Sequence, residues 1–535
     1  MFFLLHRYLL KELLRVFLLA TVALMLILSI GLLVPMIKEY GVSPQQMLSL
    51  IGDFCPITLT FVIPIGALFA AAITYGRFAA DRELDACRAS GIHFRTLLLP
   101  GLSLALASAL ANLLLSFYIT PAFVHRSEYR VQADAKQILF RNIQRKGFWD
   151  LPGGRFKIYA EQALPAENLL LDVVILELQK NKSPRMITAR DALVDIETHR
   201  AHHLVSVITE DTIRFDEEQP VRVGTIGVSR RVPPLLSEKI KFQKIEQLKQ
   251  IQADKLRFGP IYDLALTVRA QLALERLAEQ LREAMEQPNE YLRLRSADGG
   301  REYLLRVGGF QLGQERRIEL TGPIRLLEVH PYQNNEIYCR YDCERGQILL
   351  EDDRIDRGLE LILQTPQWQR SPSVKGTALQ KVIPNLPLPA PVVDGLTPPE
   401  LLGTLIQTDF SGDRIALPNP SQVLRSLQER LREELIKVDN QVICELHSRL
   451  VFGLGCVPLI LTGICLGILF RGGHILSAFG ASMIPAAVLM VFILSGKQMT
   501  RNSAVPTEAG IAVMWGGLAL LMVLAWLLYR KISRV

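Results

Sequence analysis

The chain carries three long apolar runs near each end and a mostly polar stretch between them. The runs cover residues 16–37, 54–76, 96–118, 450–470, 475–496 and 509–529, and none contains Lys, Arg, Asp or Glu. Each has 21 to 23 residues, and about 20 helical residues cross a hydrocarbon core of about 30 Å. One charge at the centre of a span costs about 2.5–3.5 kcal/mol. Six charge-free runs therefore predict an α-helical polytopic membrane protein with three spans in each half, residues 1–118 and 450–535.

The basic residues that flank these runs predict the orientation of the chain. If Met1 is cytoplasmic, the short cytoplasmic segments hold Arg7, Lys11, Arg15, Arg77, Arg82, Arg88, Arg95, Arg471, Arg530, Lys531 and Arg534. The short loops on the other side, 38–53 and 497–508, hold Lys38, Lys497 and Arg501. The positive-inside rule therefore predicts cytoplasmic termini and external residues 119–449. The first run is too long for a signal-peptide core and lacks a small-residue cleavage site, so it counts as a span.

Between the two groups of spans, short segments rich in Val, Ile and Leu predict an external β domain. They are 155–160, 169–178, 186–196, 202–215 and 221–229, followed by 291–295, 301–307, 316–320, 336–341, 347–350 and 358–364. Asp298-Gly299-Gly300 predicts a hairpin between the two segments that flank it. Many short strands without a βαβ rhythm are typical of a sandwich or a jelly-roll. We therefore expect a jelly-roll-like domain over residues 119–365.

A helical insert is predicted at about 240–290, between the two groups of strands. Gly259-Pro260 opens an amphipathic pattern and Pro288 closes it. Its apolar stripe consists of Leu264, Val268, Leu274, Leu277, Leu281 and Met285, with Arg and Glu opposite. We expect this helix to lie on the sheet; a dedicated partner-docking helix is the alternative. Eight prolines within 366–399 predict an extended linker, and a helical lead-in over 400–449 runs into the fourth span.

The net charge and the cysteines add little to the prediction of function. Much of the excess of +7 lies at the cytoplasmic ends of spans, where topology explains it, so nucleic acid is not an expected partner. Cys339 and Cys343 are the cysteines well inside the external domain. An oxidising compartment favours a disulfide, but a strand of this spacing holds the two sulfurs too far apart. A bridge and two free thiols both stay open.

The sequence shows no pattern of catalytic, cofactor-binding or metal-binding residues. Gly496-Lys497 lacks the upstream glycine and the following Ser or Thr of a phosphate-binding loop. His202-His203 is a doublet in a predicted strand, where neighbouring side chains point to opposite faces. We therefore expect no enzyme activity, no cofactor and no metal. Transport against a gradient would draw its energy from a partner.

The cytoplasmic loop 77–91, between the second and third spans, is the segment where such a partner could act. Residues 78–90 are good helix formers, and Gly91 is placed to end a helix. On a helical wheel, Glu83 stands alone on a face of small residues. That face holds Ala79, Ala80, Ala86, Cys87 and Ser90, and the opposite face holds Asp81, Asp85 and Arg88. The alternative is an ordinary solvated helix at the membrane surface.

Residues 80–91 closely resemble the coupling-helix motif of the LptF/LptG (YjgP/YjgQ) permease family. They read Ala-Asp-Arg-Glu-Leu-Asp-Ala-Cys-Arg-Ala-Ser-Gly. Similar pieces are the opening 6–12, the prolines Pro56 and Pro64, the segment 396–402, and 445–449 at the entrance of the fourth span. The resemblance covers residues 1–230 and 394–535. It is weak over roughly 240–390, where this chain is longer than typical members.

The resemblance implies a permease subunit of an ABC exporter in the bacterial inner membrane. Such an exporter extracts lipopolysaccharide, or a similar amphiphile, and passes it to a periplasmic bridge protein. Two related permeases would pair, with the first and fifth spans lining a lateral gate, and a dimer of LptB-like ATPases would dock underneath. Residues 119–449 would then be periplasmic. By this resemblance the residues that couple to the ATPase are Arg77, Asp81, Glu83, Leu84, Arg88 and Gly91.

Two further groups of residues are candidates at the outer membrane border. An anionic headgroup favours cations there, and Lys38, Lys497 and Arg501 are the candidate contacts. Simple interfacial snorkelling is the alternative for each. Glu445, His447 and Arg449 form a second motif, in which the i, i+4 spacing of Glu445 and Arg449 favours a structural salt bridge over a substrate contact.

A lipid-sensing or scaffolding envelope protein that does not transport is the alternative function. The lipoprotein-release type of permease is disfavoured, because it has four spans with its soluble domain after the first. Co-purification of an LptB-like ATPase separates an exporter from a scaffold. The residues leave open whether the chain is the F-like or the G-like partner and which lipid it carries.

Overall fold

The computed structural model describes residues 2–534 with short gaps. The gaps are 41–43, 134, 151–155, 178–184, 199–202, 216–219, 233–238, 288–289, 297–299, 314–316, 331–336, 351–357, 371–373, 398–399, 408–416, 418, 471–474 and 503–504. The chain divides into two compact units. The first unit comprises Met1–Asp254 with Lys437–Val535, and the second unit comprises Lys255–Ile436.

Helices occupy both ends of the chain and part of its middle. They are α1 (Phe2–Tyr40), α2 (Pro44–Ala80), α3 (Glu83–Ala89), α4 (Phe94–Leu114), α5 (Thr120–Ala133), α6 (Ala135–Lys146), α7 (Ile245–Ala253), α8 (Gly259–Glu286), α9 (Ala390–Val393), α10 (Leu401–Leu405), α11 (Gln422–Leu469), α12 (Ile475–Arg501) and α13 (Thr507–Arg534). A π-helical turn, Leu115–Ile119, joins α4 to α5. Within the described residues, six helices are long and apolar enough to cross a membrane: α1, α2, α4 with its extension to Arg126, α11, α12 and α13. The prediction of six long apolar helices is confirmed, and α11 continues the predicted lead-in without a break.

Helices α2 and α11 pack closely because small residues lie at their interface. A Cβ atom on Gly463 would lie 2.9 Å from the carbonyl oxygen of Leu68. A Cβ atom on Gly467 would lie 3.1 Å from the amide nitrogen of Gly76 and would overlap the carbonyl oxygen of Ala72. In an apolar environment, helices associate largely through such close packing of small residues. The glycines of α11 therefore determine how near the two helices come.

We expect Gly467→Val to destabilise the first unit, because the added side chain would push α11 away from α2. Overpacking of this kind costs about 1–3 kcal/mol. The check is the free energy of unfolding in mixed micelles, with Gly516→Val as the control, since a Cβ on Gly516 meets nothing within 4 Å. Equal losses for the two variants would mean that helix propensity, and not the α2–α11 contact, is responsible.

Tyr75 joins α2 to α4 inside the first unit. Its hydroxyl donates to the carbonyl of Leu97 at 2.8 Å and accepts from the N–H of Gly101 at 3.2 Å. Those two backbone groups are four residues apart in α4, next to Pro100, and the side chain therefore reaches into the backbone of a neighbouring helix. The start of α4, which follows the loop 77–91, is held to α2 in this way.

The first sheet consists of six antiparallel strands, each paired with the next along the chain. They are β1 (Phe148–Asp150), β2 (Phe156–Leu164), β3 (Leu169–Glu177), β4 (Arg185–Thr198), β5 (His203–Phe215) and β6 (Pro220–Val232). The five predicted segments between 155 and 229 are confirmed as strands. Ile158, Val173 and Val207 of one face pack with Leu139 and Phe140 of α6. Consecutive pairing makes this sheet an up-and-down meander, without the crossovers of a jelly-roll in its described strands.

The second sheet contains the remaining strands. They are β7 (Leu292–Arg295), β8 (Glu302–Arg306), β9 (Gly309–Leu312), β10 (Arg317–Val329), β11 (Ile337–Leu349), β12 (Leu359–Gln364), β13 (Gln367–Arg370), β14 (Val374–Thr377) and β15 (Gln380–Leu386). The predicted β7–β8 hairpin is confirmed by pairing from Leu292–Leu305 to Arg295–Glu302; its turn lies outside the described residues. The segments predicted at 336–341 and 347–350 are one strand, because the polar residues between them keep pairing with β10.

The Pro-rich stretch 366–399 differs from the predicted linker, since it contains β13, β14, β15 and α9. Pro384 lies beside the register shift between Leu359 and Leu361 in the β12–β15 pairing. A proline, which has no N–H to donate, is tolerated at such an irregularity. Composition alone does not show that prolines fall where the ladder needs no donor.

Helix α8 begins at Gly259-Pro260 as predicted, but its middle is buried on nearly all sides. Glu275 and Arg276 are 4% and 2% exposed. Glu275 accepts from the backbone N–H of Ser421 at 3.0 Å, and Arg276 donates to the carbonyl of Asp394 at 2.6 Å. The charged residues opposite the predicted apolar stripe are therefore buried as well, because segments over 100 residues away cover that face.

Cys339 and Cys343 are both free thiols, buried on the same face of β11. Burial raises the pKa of Cys343 to about 11. Both residues lie on a single strand, and no bridge forms between them. Of the two alternatives, a disulfide and two free thiols, the structure favours free thiols.

Candidate functional site

The loop 77–91 does not form the single helix predicted for residues 78–90. Helix α2 ends at Ala80, and Arg82 has a φ of +58° before α3 begins at Glu83. That left-handed conformation turns the chain, so residues on either side of it do not share a helical wheel. Ala79 is buried in the core of the first unit. The predicted face of small residues around Glu83 is therefore wrong in its α2 part.

Helix α3 exposes the carboxylates of Glu83 and Asp85 to the solvent and directs Leu84 to the core. Glu83 is exposed, and it makes no ion pair among the described residues. The next residue, Leu84, is 1% exposed and belongs to a buried cluster with Phe94 and Leu97. Gly91 follows with a φ of +79°, as its predicted place at the helix end requires. Leu84 anchors the helix, and Glu83 is available to a partner.

Arg77 and Asp81, two other candidate coupling residues, are already engaged with charges of their own chain. Arg77 lies 3.5 Å from a carboxylate oxygen of Glu12 and 3.7 Å from one of Asp81. Glu12 also pairs with Arg15 at 3.2 Å. Glu12 is not among the residues predicted from the sequence, although it is the one acidic residue in the basic opening segment. This network connects the start of α1 to the end of α2.

Arg88 points into the protein. Its Nη2 donates to the backbone carbonyl of Ile532 in α13 at 3.1 Å, and its Cζ lies 5.0 Å from the centre of the Phe94 ring. The helical wheel placed Arg88 opposite Glu83, with Asp81 and Asp85; in the structure Asp81 and Asp85 are exposed and Arg88 is half-buried.

Charged residues at the entrance of the fourth span meet the end of α12. Glu445 accepts from Arg449 Nε at 3.2 Å and from Lys497 Nζ at 2.9 Å. The Arg449 side chain is 3% exposed. The i, i+4 salt bridge expected from spacing is present, and Lys497 joins it from 48 residues beyond Arg449. We call Glu445, Arg449, Lys497 and Lys241 the border cluster.

Lys241 enters the border cluster from the short 3₁₀ helix Ile240–Phe242. Arg449 Nη2 donates to the carbonyls of Lys241 at 3.0 Å and Gln243 at 3.2 Å. Burial lowers the pKa of the Lys241 amine, and the nearby Lys239 lowers it further. Lys497 and Arg501 act in the same direction, while Glu445 opposes them. These effects show that positive charge is concentrated around one carboxylate.

One wall of the border cluster is aromatic. The Arg449 guanidinium lies 5.7 Å from the ring centre of Phe117, which belongs to the π-helical turn after α4. Such π-helical turns are frequent at functional sites. His447 Nδ1 accepts from the indole N–H of Trp515 at 3.2 Å, so His447 is tied to α13. An uninterrupted α-helical continuation of α4 would not have placed Phe117 beside Arg449.

Arg501 and Lys38 are the remaining candidate headgroup contacts. Arg501 is the last residue of α12 and is exposed. The backbone of Lys38 belongs to α1, and its side chain lies outside the described residues. Lys497 and Arg501 therefore share one end of α12, and the structure gives no side-chain position that brings Lys38 to them.

The border cluster has the chemistry of an anion site. Its cations, with Lys239 and Arg501 beside them, outnumber Glu445. Arg449 Nη1 is buried and finds no hydrogen-bond partner among the described residues. A buried guanidinium N–H left without an acceptor costs about 1–3 kcal/mol or more, and a phosphate oxygen would satisfy it. Local sequence patterns do not predict this anion site, because Lys241 lies 208 residues from Arg449.

The chain matches one family model, described as lipopolysaccharide export system permease LptF/LptG, over residues 7–295 and 369–531. The match includes the loop 77–91 and all four members of the border cluster, Lys241 in the first range and the other three in the second. It extends beyond the resemblance expected from motifs, and it omits residues 296–368. No curated protein sequence matches the chain.

Proposed function

The chain belongs to the LptF/LptG family of lipopolysaccharide export permeases, and we propose that it is the subunit that extracts lipopolysaccharide or a similar phosphorylated amphiphile from the inner membrane. The family is a transporter permease and not an enzyme. In our proposal the chain pairs with a second permease of this family, and a dimeric LptB-like ATPase supplies the energy. The lipid then passes to a periplasmic bridge protein.

The ATPase contact in this proposal is α3, and Glu83 is its central group. The observation that supports it is the combination of two neighbours on a short helix between two spans: Glu83 is exposed and makes no ion pair among the described residues, and Leu84 is anchored in the core. A charged group that is free in the isolated chain can be desolvated against a partner without breaking an internal pair. Arg77 and Asp81 would keep the neighbouring turn in place through Glu12.

The border cluster is, in this proposal, a contact for the lipid headgroup. The support is its excess of cations, the unpartnered Arg449 Nη1 and the aromatic wall at Phe117. Guanidinium groups suit phosphate because their planar N–H groups match two of its oxygens. Lys497 and Arg501 would contact the headgroup from α12, and Lys38 from α1.

Purification of the tagged chain from native membranes in mild detergent tests the proposed function. Mass spectrometry of the preparation is expected to find a second permease, a nucleotide-hydrolysing ATPase and a phosphorylated glycolipid. The lipid should be depleted by Lys497→Gln but not by Lys531→Gln, which removes an exposed positive charge from α13. Lipid without any ATPase would instead support a lipid-sensing or scaffolding protein, and absence of both would contradict the proposal.

The proposed orientation places both termini in the cytoplasm and residues 119–449 in the periplasm. Leu379, between β14 and β15, is 91% exposed, so we expect Leu379→Cys to react with a membrane-impermeant maleimide in spheroplasts. Ser533→Cys, exposed at the end of α13, should react only after lysis. The reverse labelling pattern would contradict the orientation and, with it, export toward the periplasm.

A further inference from the structure

Helix α3 is separated from both neighbouring helices by a break in the helical backbone. Arg82 before it and Gly91 after it have φ values of +58° and +79°, in the left-handed region that α-helices do not use. A helix of seven residues has little stability of its own. Its position therefore depends on the elements that hold it.

The end of α13 is one of those elements. Helix α13 ends at Arg534, so the carbonyl of Ile532 is among the last four of the helix, which have no intrahelical N–H partner. Arg88 supplies that missing donor at 3.1 Å. A cation at this position also interacts favourably with the helix dipole. Leu84 of α3 and the side chain of Ile532 belong to the same buried cluster. Apolar packing between α3 and α13 therefore accompanies the hydrogen bond of Arg88.

The same guanidinium connects this contact to the start of α4. Arg88 lies 5.0 Å from the ring centre of Phe94. The Phe94 ring stacks on the ring of Tyr529, with centres 6.1 Å apart and planes at 22°. Tyr529 accepts from Arg95 Nε at 3.4 Å. Three helices, α3, α4 and α13, are therefore joined by four side chains and one backbone carbonyl.

We propose that Arg88 is a positioning residue that locks α3 to the end of α13, so that a displacement of α3 passes directly to that span. The inference rests on the proposed function, because it takes α3 as the element that the ATPase moves. Arginine suits the task, since its planar guanidinium covers an aromatic ring and donates within its own plane at the same time. A lysine ammonium can satisfy the carbonyl or the ring but not both in this geometry.

The test uses the full chain with its partner permease and ATPase in lipid nanodiscs. Arg88→Met removes the donor and keeps an apolar side chain, and Arg534→Met is the matched control, because Arg534 is an exposed cation at the same helix end. We expect Arg88→Met to keep ATPase binding and to lower the lipid extracted per ATP at least about fivefold, the lower end of typical coupling between sites. Arg534→Met should leave both unchanged, and Arg88→Lys should fall between.

Two results in this assay would overturn the proposal. If Arg88→Met loses ATPase binding as Glu83→Ala does, Arg88 is itself a contact for the ATPase. If the lipid extracted per ATP is unchanged, the contact with Ile532 transmits nothing. Should Arg88→Met not accumulate in the membrane, the same two readouts on Arg88→Lys decide the question.

A second measurement tests the lock without any ATPase and so separates its failure from failure of the proposed function. Spin labels at Ala89 and Ser533, both exposed, report the distance between α3 and α13 in a chain whose half-buried Cys55 and Cys87 are replaced by Ala. We expect a narrow distribution with Arg88 and a broadened one with Arg88→Met. Identical distributions would show that Arg88 does not hold the two helices together.

Discussion

Replacing Glu83 by alanine is expected to weaken binding of the partner ATPase by at least about tenfold, because truncating one partner of a desolvated charge contact costs 2–5 kcal/mol or more. The carboxylate is exposed and makes no ion pair among the described residues, so its loss should leave the chain's own fold intact. Leu84 still anchors α3 in the core. The measurements are ATPase retention on the purified permease and ATP-driven lipid release.

Asp85→Ala is the matched control for Glu83. Both side chains are exposed carboxylates in the first turn of α3, but two residues correspond to about 200° around a helix, so they face different directions. A charge that stays in water contributes at most about 1 kcal/mol, and Asp85→Ala should bind the ATPase nearly as well as the unmodified chain. Equal losses for the two variants would mean that general negative charge, and not a seated Glu83, attracts the ATPase.

Replacing Glu445 by glutamine is expected to cost about 3–5 kcal/mol of stability, because it leaves Arg449 buried without a counter-ion. The Arg449 side chain is 3% exposed, and Glu445 is its ion-pair partner at 3.2 Å. Lys497 loses its partner in the same substitution. The free energy of unfolding in mixed micelles measures the effect.

The exposed pair of Glu12 and Arg77 provides the comparison. Arg77 is 57% exposed, and its separation from Glu12 is 3.5 Å. Exposed pairs of this kind contribute about 0–1 kcal/mol, so Glu12→Gln should lower stability far less than Glu445→Gln. If the two substitutions cost the same, the border cluster is as well hydrated as the surface, and its suitability as a phosphate site would be in doubt.

The apolar helices and most strands follow from local sequence because their signals are local. A charge-free run of 21 to 23 residues leaves few alternatives in water or lipid, and each such run lies in a long apolar helix. Strands β2 to β6 follow alternation within single segments. The predicted strand bounds are wrong where the apolar pattern along the chain is interrupted. The strand predicted at 316–320 is part of β10, which continues to Val329 through a register shift between Thr321 and Ile324.

Helix α8 and the stretch 366–399 show where local patterns fail. The charged residues of α8 form a polar face in sequence, but α9 and α10 pack against the helix, and Asp394 and Ser421 are hydrogen-bond partners of that face. The prolines of 366–399 look like a linker, but the described part of this stretch contains strands, and Pro384 lies at a register shift where the sheet needs no donor. In both cases the deciding contacts join residues far apart in the chain.

For the functional residues, the sequence by itself determined which groups are present, and the tertiary structure decided which of them are free. Spacing alone indicated the Glu445–Arg449 pair, because i, i+4 neighbours meet on any helix. The helical wheel over 78–90 is wrong beyond Arg82, because one residue in the left-handed conformation changes the direction of every side chain that follows it. Lys241 beside Arg449, and Arg88 on the carbonyl of Ile532, involve separations of 208 and 444 residues. Such pairings depend on how whole helices pack, and no periodicity along the chain records them.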